Sequence, residues 1–149
     1  MAIWIVIGII AAMTALMAIL APAVMAFIAR LSGWRTLAER YPPADAALVE
    51  RFAFQSVKIG WASYNNCVTV DVTTAGLRFE PFWLFRFQHP AFELPWDRLK
   101  ATATRQMLVI PAIELSVDGG VPLLISATLA ARIEAVAGEY WRAALDRAA

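Results

Sequence analysis

The chain divides by pattern before any residue chemistry is considered. From Ile3 to Ala29 every position is apolar or uncharged, with no polar face at any period. After Arg30 charged residues appear and the pattern becomes periodic. An unbroken apolar stretch of this length, if helical at about 1.5 Å per residue, crosses a hydrocarbon layer of roughly 30 Å. Beyond Tyr41-Pro42-Pro43-Ala44-Asp45, a clear break, the spacing changes to that of strands from Arg51 onward. Cys67 to Thr73 alternates strictly, with Val68, Val70 and Val72 on one face and Thr69, Asp71 and Thr73 on the other. Ala75-Gly76 reads as a turn and Leu77 to Glu80 alternates again, so the two runs predict a hairpin. A second hairpin is expected from Ile113–Val117, the turn Asp118-Gly119-Gly120, and Val121 to Ser126. Further strands are expected around Phe52–Gly60, Phe92–Trp96 and Leu99–Gln106, with Pro95, Pro111 and Pro122 at edges, ends or bulges. The chain closes on helical spacing. Leu129, Ile133, Val136 and Tyr140 form a stripe that predicts one amphipathic helix from Ala127 to about Arg147.

Three readings compete for the first thirty residues. A core helix apolar all round needs a larger protein around it than this chain provides. A signal peptide should have a basic start and a shorter apolar run; only the small-residue signature Val24-Met25-Ala26 suits it. A membrane anchor fits the length and the flanks, and it is the reading adopted. Trp4 and Trp34 bracket the span where aromatic rings favour the interface, and Pro22 implies a kink or an early end. Gly8, Ala11, Ala12 and Ala15 place small residues at helical spacing, a pattern equally expected from the composition of any such span. Arg30, Arg35 and Arg40 crowd the C-terminal flank, which puts the N-terminus outside and the following domain in the cytoplasm. The expected organisation is an anchor over 1–32, a short helix (about Gly33 to Arg40) and linker over 33–50, and a β domain over 51–149.

Composition narrows the function. The 13 basic and 12 acidic residues nearly balance, which argues against the basic stripe of a nucleic-acid-binding protein. Cys67 is the one cysteine, cannot form an internal disulfide, and suits a reducing compartment. The one histidine, His89, has no second ligand at metal spacing, and its place before Pro90 in an aromatic loop reads as structural. There is no phosphate-binding glycine loop and no nucleophile elbow. Glu39/Asp45, Glu80/Glu93 and Glu114/Asp118 are ordinary surface pairs rather than an acid–base site. No enzyme, cofactor or metal is expected.

The hairpin Val68-Thr69-Val70-Asp71…Gly76-Leu77-Arg78-Phe79, then Phe85-Arg86…His89-Pro90, then Leu94-Pro95-Trp96-Asp97-Arg98-Leu99 resembles the bacterial pleckstrin-homology-like (PH-like) pattern. There, a Gly-Leu strand leads to an Ile-Pro-Trp-x-x-Ile strand. The resemblance covers about Arg51 to Leu145. It implies an α+β fold, with an antiparallel sandwich or barrel of six or seven strands closed by a C-terminal helix. It also implies a binding scaffold with no fixed catalytic set.

The unusual stretch is Glu80 to Trp96, which holds Phe82, Trp83, Leu84, Phe85, Phe87, Phe92 and Trp96. Consecutive apolar residues cannot all face one core from a strand. Phe82, Trp83, Leu84, Phe85 and Arg86 are therefore expected to form an interaction surface for an integral-membrane protein partner. Contact with the lipid bilayer, or a loop folded back to bury them all, are the other readings. The resulting expectation is a single-pass, inner-membrane accessory subunit or adaptor. The alternative is a lipid-headgroup sensor in which Lys58, Arg78, Arg86, Lys100 and Arg105 gather around one pocket.

Overall fold

A computed structural model describes residues 1–106 and 109–149. Helix α1 (Ala2–Ser32) runs through Pro22 without interruption and ends on Gly33, whose left-handed backbone turns the chain into α2 (Trp34–Arg40). Among the described residues seven antiparallel strands follow: β1 (Leu48–Ile59), β2 (Ala62–Thr73), β3 (Gly76–Pro81), β4 (Phe92–Pro95), β5 (Leu99–Gln106), β6 (Ile110–Val117) and β7 (Leu123–Ser126). They form one curled half-barrel sheet in the order β4-β3-β2-β1-β7-β6-β5. The long β1–β2 hairpin carries the curvature. Its register shifts between Phe52 and Gln55 and again before Val57, and bulges of this kind bend a strand and raise its twist.

The expected strands are all present, with differences at their ends. β1 starts at Leu48, and the turn between β2 and β3 falls at Thr74-Ala75, leaving Gly76 as the first residue of β3. A Cβ on Gly76 would run into the Leu94 carbonyl of β4, so the strand pairing itself demands glycine. Pro95 ends the edge strand β4 and Pro122 precedes β7. Pro111 lies in β6 beyond its last pair with β7, Ala112↔Ser126, and is paired only with Arg105 of β5.

The three valines of β2 are buried as expected, but so are Asp71 and Thr73 on the opposite face. Arg51 of β1 donates two 2.8 Å hydrogen bonds to the Asp71 carboxylate, and the Thr73 hydroxyl donates to Glu93 at 2.7 Å. Polar partners from neighbouring strands make burial of that face affordable.

The single closing helix is corrected to two. Gly138, at φ 51 and ψ −108, separates α3 (Ala127–Ala137) from α4 (Glu139–Ala148). α3 starts at Ser126, whose hydroxyl accepts from Leu129 N, and it packs on β1, β2, β6 and β7. α4 instead follows the curl of the sheet out to β5, with Trp141 and Ala144 buried. Arg147 fixes it there by donating to the carbonyls of Trp96 and Leu99.

Candidate interaction surface and the helix–domain junction

The segment between β3 and β4 begins with Phe82 N donating to the Cys67 carbonyl at 2.7 Å, which continues the β2–β3 ladder by one step. The backbone then leaves the sheet in a 3-10 turn, Trp83–Phe85. The Phe85 carbonyl accepts from both Gln88 N and His89 N, and this closes the loop. The consequence is geometric: leaving the strand frees these side chains from the alternation that would have buried half of them. Trp83 is 65% exposed, Leu84 56% and Phe87 92%; Phe82 is exposed and Phe85 half-buried. Of the three readings of this stretch, the loop folded back and wholly buried is therefore excluded. Arg86 lies 3.7 Å from Glu80, a loose and exposed ion pair.

Beside the loop lies an open groove of about 300 Å³, walled by Arg51, Phe54, Cys67, Thr69, Phe82, Trp83 and Arg86. Phe54 stands at its rim, exposed, with φ 55 at the β1 bulge. A bulky residue in the left-handed region is strained by about 1–2 kcal/mol. Burial pushes the Cys67 thiol up, so it is protonated and unreactive at neutral pH.

The far end of the loop is tied to the root of α1. His89 is buried and its Nε2 lies 3.2 Å from the Tyr64 hydroxyl, which lies 2.9 Å from Ser32 Oγ. Trp34 fills the centre of this joint, with its ring 5.0 Å from Tyr64, 5.3 Å from His89 and 5.1 Å from Phe92. Its indole N–H donates to the Pro90 carbonyl at 2.8 Å. Trp34 is thus a core residue rather than the interfacial bracket expected at this end of the span. Burial holds the His89 ring down to about 4, since the charged ring would lose its hydration; its Nδ1 has no partner among the described residues. His89 is thus packed into the joint between α1 and the sheet. Sequence reasoning passed over Ser32, Tyr64 and Trp61. The one available signal was Gly60-Trp61, a turn pair carrying a large aromatic.

The carboxylates are dispersed among separate partners. Glu93 accepts from Arg78, Thr73 and Ala44 N; Glu80 faces Arg86; Asp118 accepts from Arg98 and Tyr41. Burial, then the adjacent Asp118, raises the Tyr41 hydroxyl above its usual value. The described residues hold no cluster of His, Cys, Asp and Glu that could bind a metal ion.

The five basic residues expected around one pocket do not meet. Arg78 is committed to Glu93 and the Ala44 carbonyl, Arg86 borders the aromatic groove, and Lys58 lines a separate groove with Gln106 and Ile110. Lys100 and Arg105 project from edge strand β5 and line neither groove. α1 is long and apolar enough to cross a membrane by length and composition, and its central part is not buried by any of the described residues. Trp4, Gly8 and Pro22 are exposed along it, and Arg30 is exposed in its last turn.

No family model matches the chain, and no curated protein matches it. Among solved structures it is similar to the C-terminal domain of an unknown protein from Leishmania infantum. The identity is 16%, the match covers 77% of this chain and 95% of that one, and the TM-score is 0.48.

Proposed function

We propose that this protein is a membrane-anchored, non-catalytic binding module, an accessory subunit or adaptor of a larger integral-membrane complex. In this reading α1 crosses a bacterial inner membrane once, with the N-terminus outside and the domain cytoplasmic. Seven antiparallel strands in a curled sheet followed by C-terminal helices suit a PH-like scaffold. The observation that carries the proposal is the exposed run Phe82, Trp83, Leu84 next to Arg86, held on a loop whose other end is bonded into the root of the apolar helix. Large exposed apolar residues beside an arginine are the composition of interface anchors. A loop tied to the helix root presents them close to the membrane, where an integral-membrane partner has its own flank.

The test is quantitative co-purification of tagged full-length protein from mild detergent, comparing wild type with Trp83→Ala/Leu84→Ala. Both side chains are largely exposed, so the fold should survive. A stoichiometric integral-membrane partner retained by wild type and lost by the double variant supports the proposal. A wild-type protein that arrives alone, or a variant that keeps its partner, overturns it.

A further inference from the structure

The last two turns of α1 differ from the rest of the helix. Every residue from Ala2 to Val24 is exposed, whereas Met25, Ala26 and Ile28 are half-buried and Ala29 and Ser32 buried. Ala2–Val24 is about 35 Å long, enough for a hydrocarbon layer of roughly 30 Å. The turns from Met25 to Ser32 therefore fall in the headgroup layer while already packed on the domain. Whatever the domain places beside them is at that depth as well.

Trp61, in the tight turn between β1 and β2, is placed there. Its indole N–H donates to the Leu31 carbonyl at 3.2 Å, satisfying one of the acceptors left open at the end of a helix. Trp61 is 60% exposed, and Phe27 and Leu31, a turn apart on one face of α1, are exposed as well. Three exposed apolar side chains thus stand at the domain end of α1, with Trp61 bonded to the Leu31 backbone. Trp4, at the other end, is about 40 Å from Leu31 along the helix, close to the thickness of a bilayer with its headgroups. Gly60 locks the turn against α1, since a Cβ there would lie 2.7 Å from the Ser32 carbonyl.

We infer that the interfacial layer of the bilayer is the partner of Trp61, and that this contact, with Phe27 and Leu31, seats the domain on the membrane in one fixed orientation. The inference rests on α1 spanning the bilayer. An indole with its N–H satisfied and its ring face free suits this layer better than either water or hydrocarbon.

The test uses full-length protein in phosphatidylcholine vesicles. In a Trp4→Phe/Trp83→Phe background Trp61 is the exposed tryptophan, since Trp34, Trp96 and Trp141 are buried. Its emission is the difference between that protein and the same protein carrying Trp61→Phe. Lipid brominated close to the headgroup should remove most of this emission, and aqueous iodide little of it. Quenching by iodide with indifference to the brominated lipid overturns the inference. An Ile10→Trp probe in the Trp61→Phe protein reads the span separately. If deep-chain bromines quench position 10 while Trp61 answers only to iodide, the seating fails and the anchor stands. If both positions answer only to iodide, the anchor reading has failed and this inference with it.

Discussion

Ser32, the last residue of α1, and Tyr64 of β2 hold their hydroxyl oxygens 2.9 Å apart inside the protein, and Tyr64 passes the contact on to His89. A helix joined to a domain by a flexible linker has no such bond. Here the final turn of α1, the β1–β2 hairpin and the aromatic loop share one buried polar chain, with Trp34 packed through its centre. Motion of the helix relative to the sheet would strand those groups without partners, at roughly 1–3 kcal/mol for each group left unsatisfied. Those bonds oppose such motion.

Acid should loosen this joint through His89. Its folded value of about 4 lies below the unfolded value of 6.5, so between these the unfolded chain binds the extra proton. Stability is fully present above about pH 6.5 and falls as pH drops toward 4, by at most about 3.4 kcal/mol at about 1.36 kcal/mol per pH unit. Urea titrations of detergent-solubilised protein should show this slope, and His89→Gln should flatten it. An unchanged slope in the variant would assign the acid sensitivity elsewhere.

Two tryptophans should behave oppositely. Trp34 is wholly buried, so Trp34→Ala is expected to cost about 3–5 kcal/mol, whereas Trp83→Ala should stay within about 0.5 kcal/mol of wild type. Denaturation midpoints of the two single variants decide this.

Arg51 answers the buried carboxylate of Asp71 from a half-exposed position, and the hydrogen-bonded partnership raises the guanidinium pKa above its already high value. Arg51→Ala leaves that carboxylate uncompensated and should cost about 2 kcal/mol, less than a fully buried pair because water reaches the site. A combined Arg51→Met/Asp71→Leu variant should recover part of the loss, measured in the same titration.

Gly60→Ala and Gly119→Ala make a controlled comparison. Both positions have positive φ, 56 and 69, but only Gly60 faces another backbone group, the Ser32 carbonyl; nothing lies within 4 Å of Gly119. Each substitution should incur the left-handed strain of about 1–2 kcal/mol. Gly60→Ala should in addition speed amide hydrogen exchange from Ala29 to Trp34, while Gly119→Ala leaves those amides as they were.

Local pattern was enough to reveal the apolar helix, the seven strands and the helical close, because a period of two or of 3.6 residues is written into consecutive positions. The same local signal showed that Phe82 to Phe85 could not all be core. It did not divide the closing helix at Gly138, because the stripe continues in phase past a glycine that was the one local sign of a break. Nor could it place Trp34. Beside a helix apolar and long enough to span a membrane an aromatic looks interfacial, and the pocket that takes it is built by Tyr64, His89 and Phe92 from distant parts of the chain. The scatter of Lys58, Arg78, Arg86, Lys100 and Arg105 followed likewise from strand order and from acidic partners across the sheet. Consecutive residues encode which segments are apolar and at what period. Long-range packing makes Trp34 core, puts Trp61 at the helix root and bonds the end of the helix into the domain. Those outcomes depend on pairings between residues dozens of positions apart, which no local period encodes.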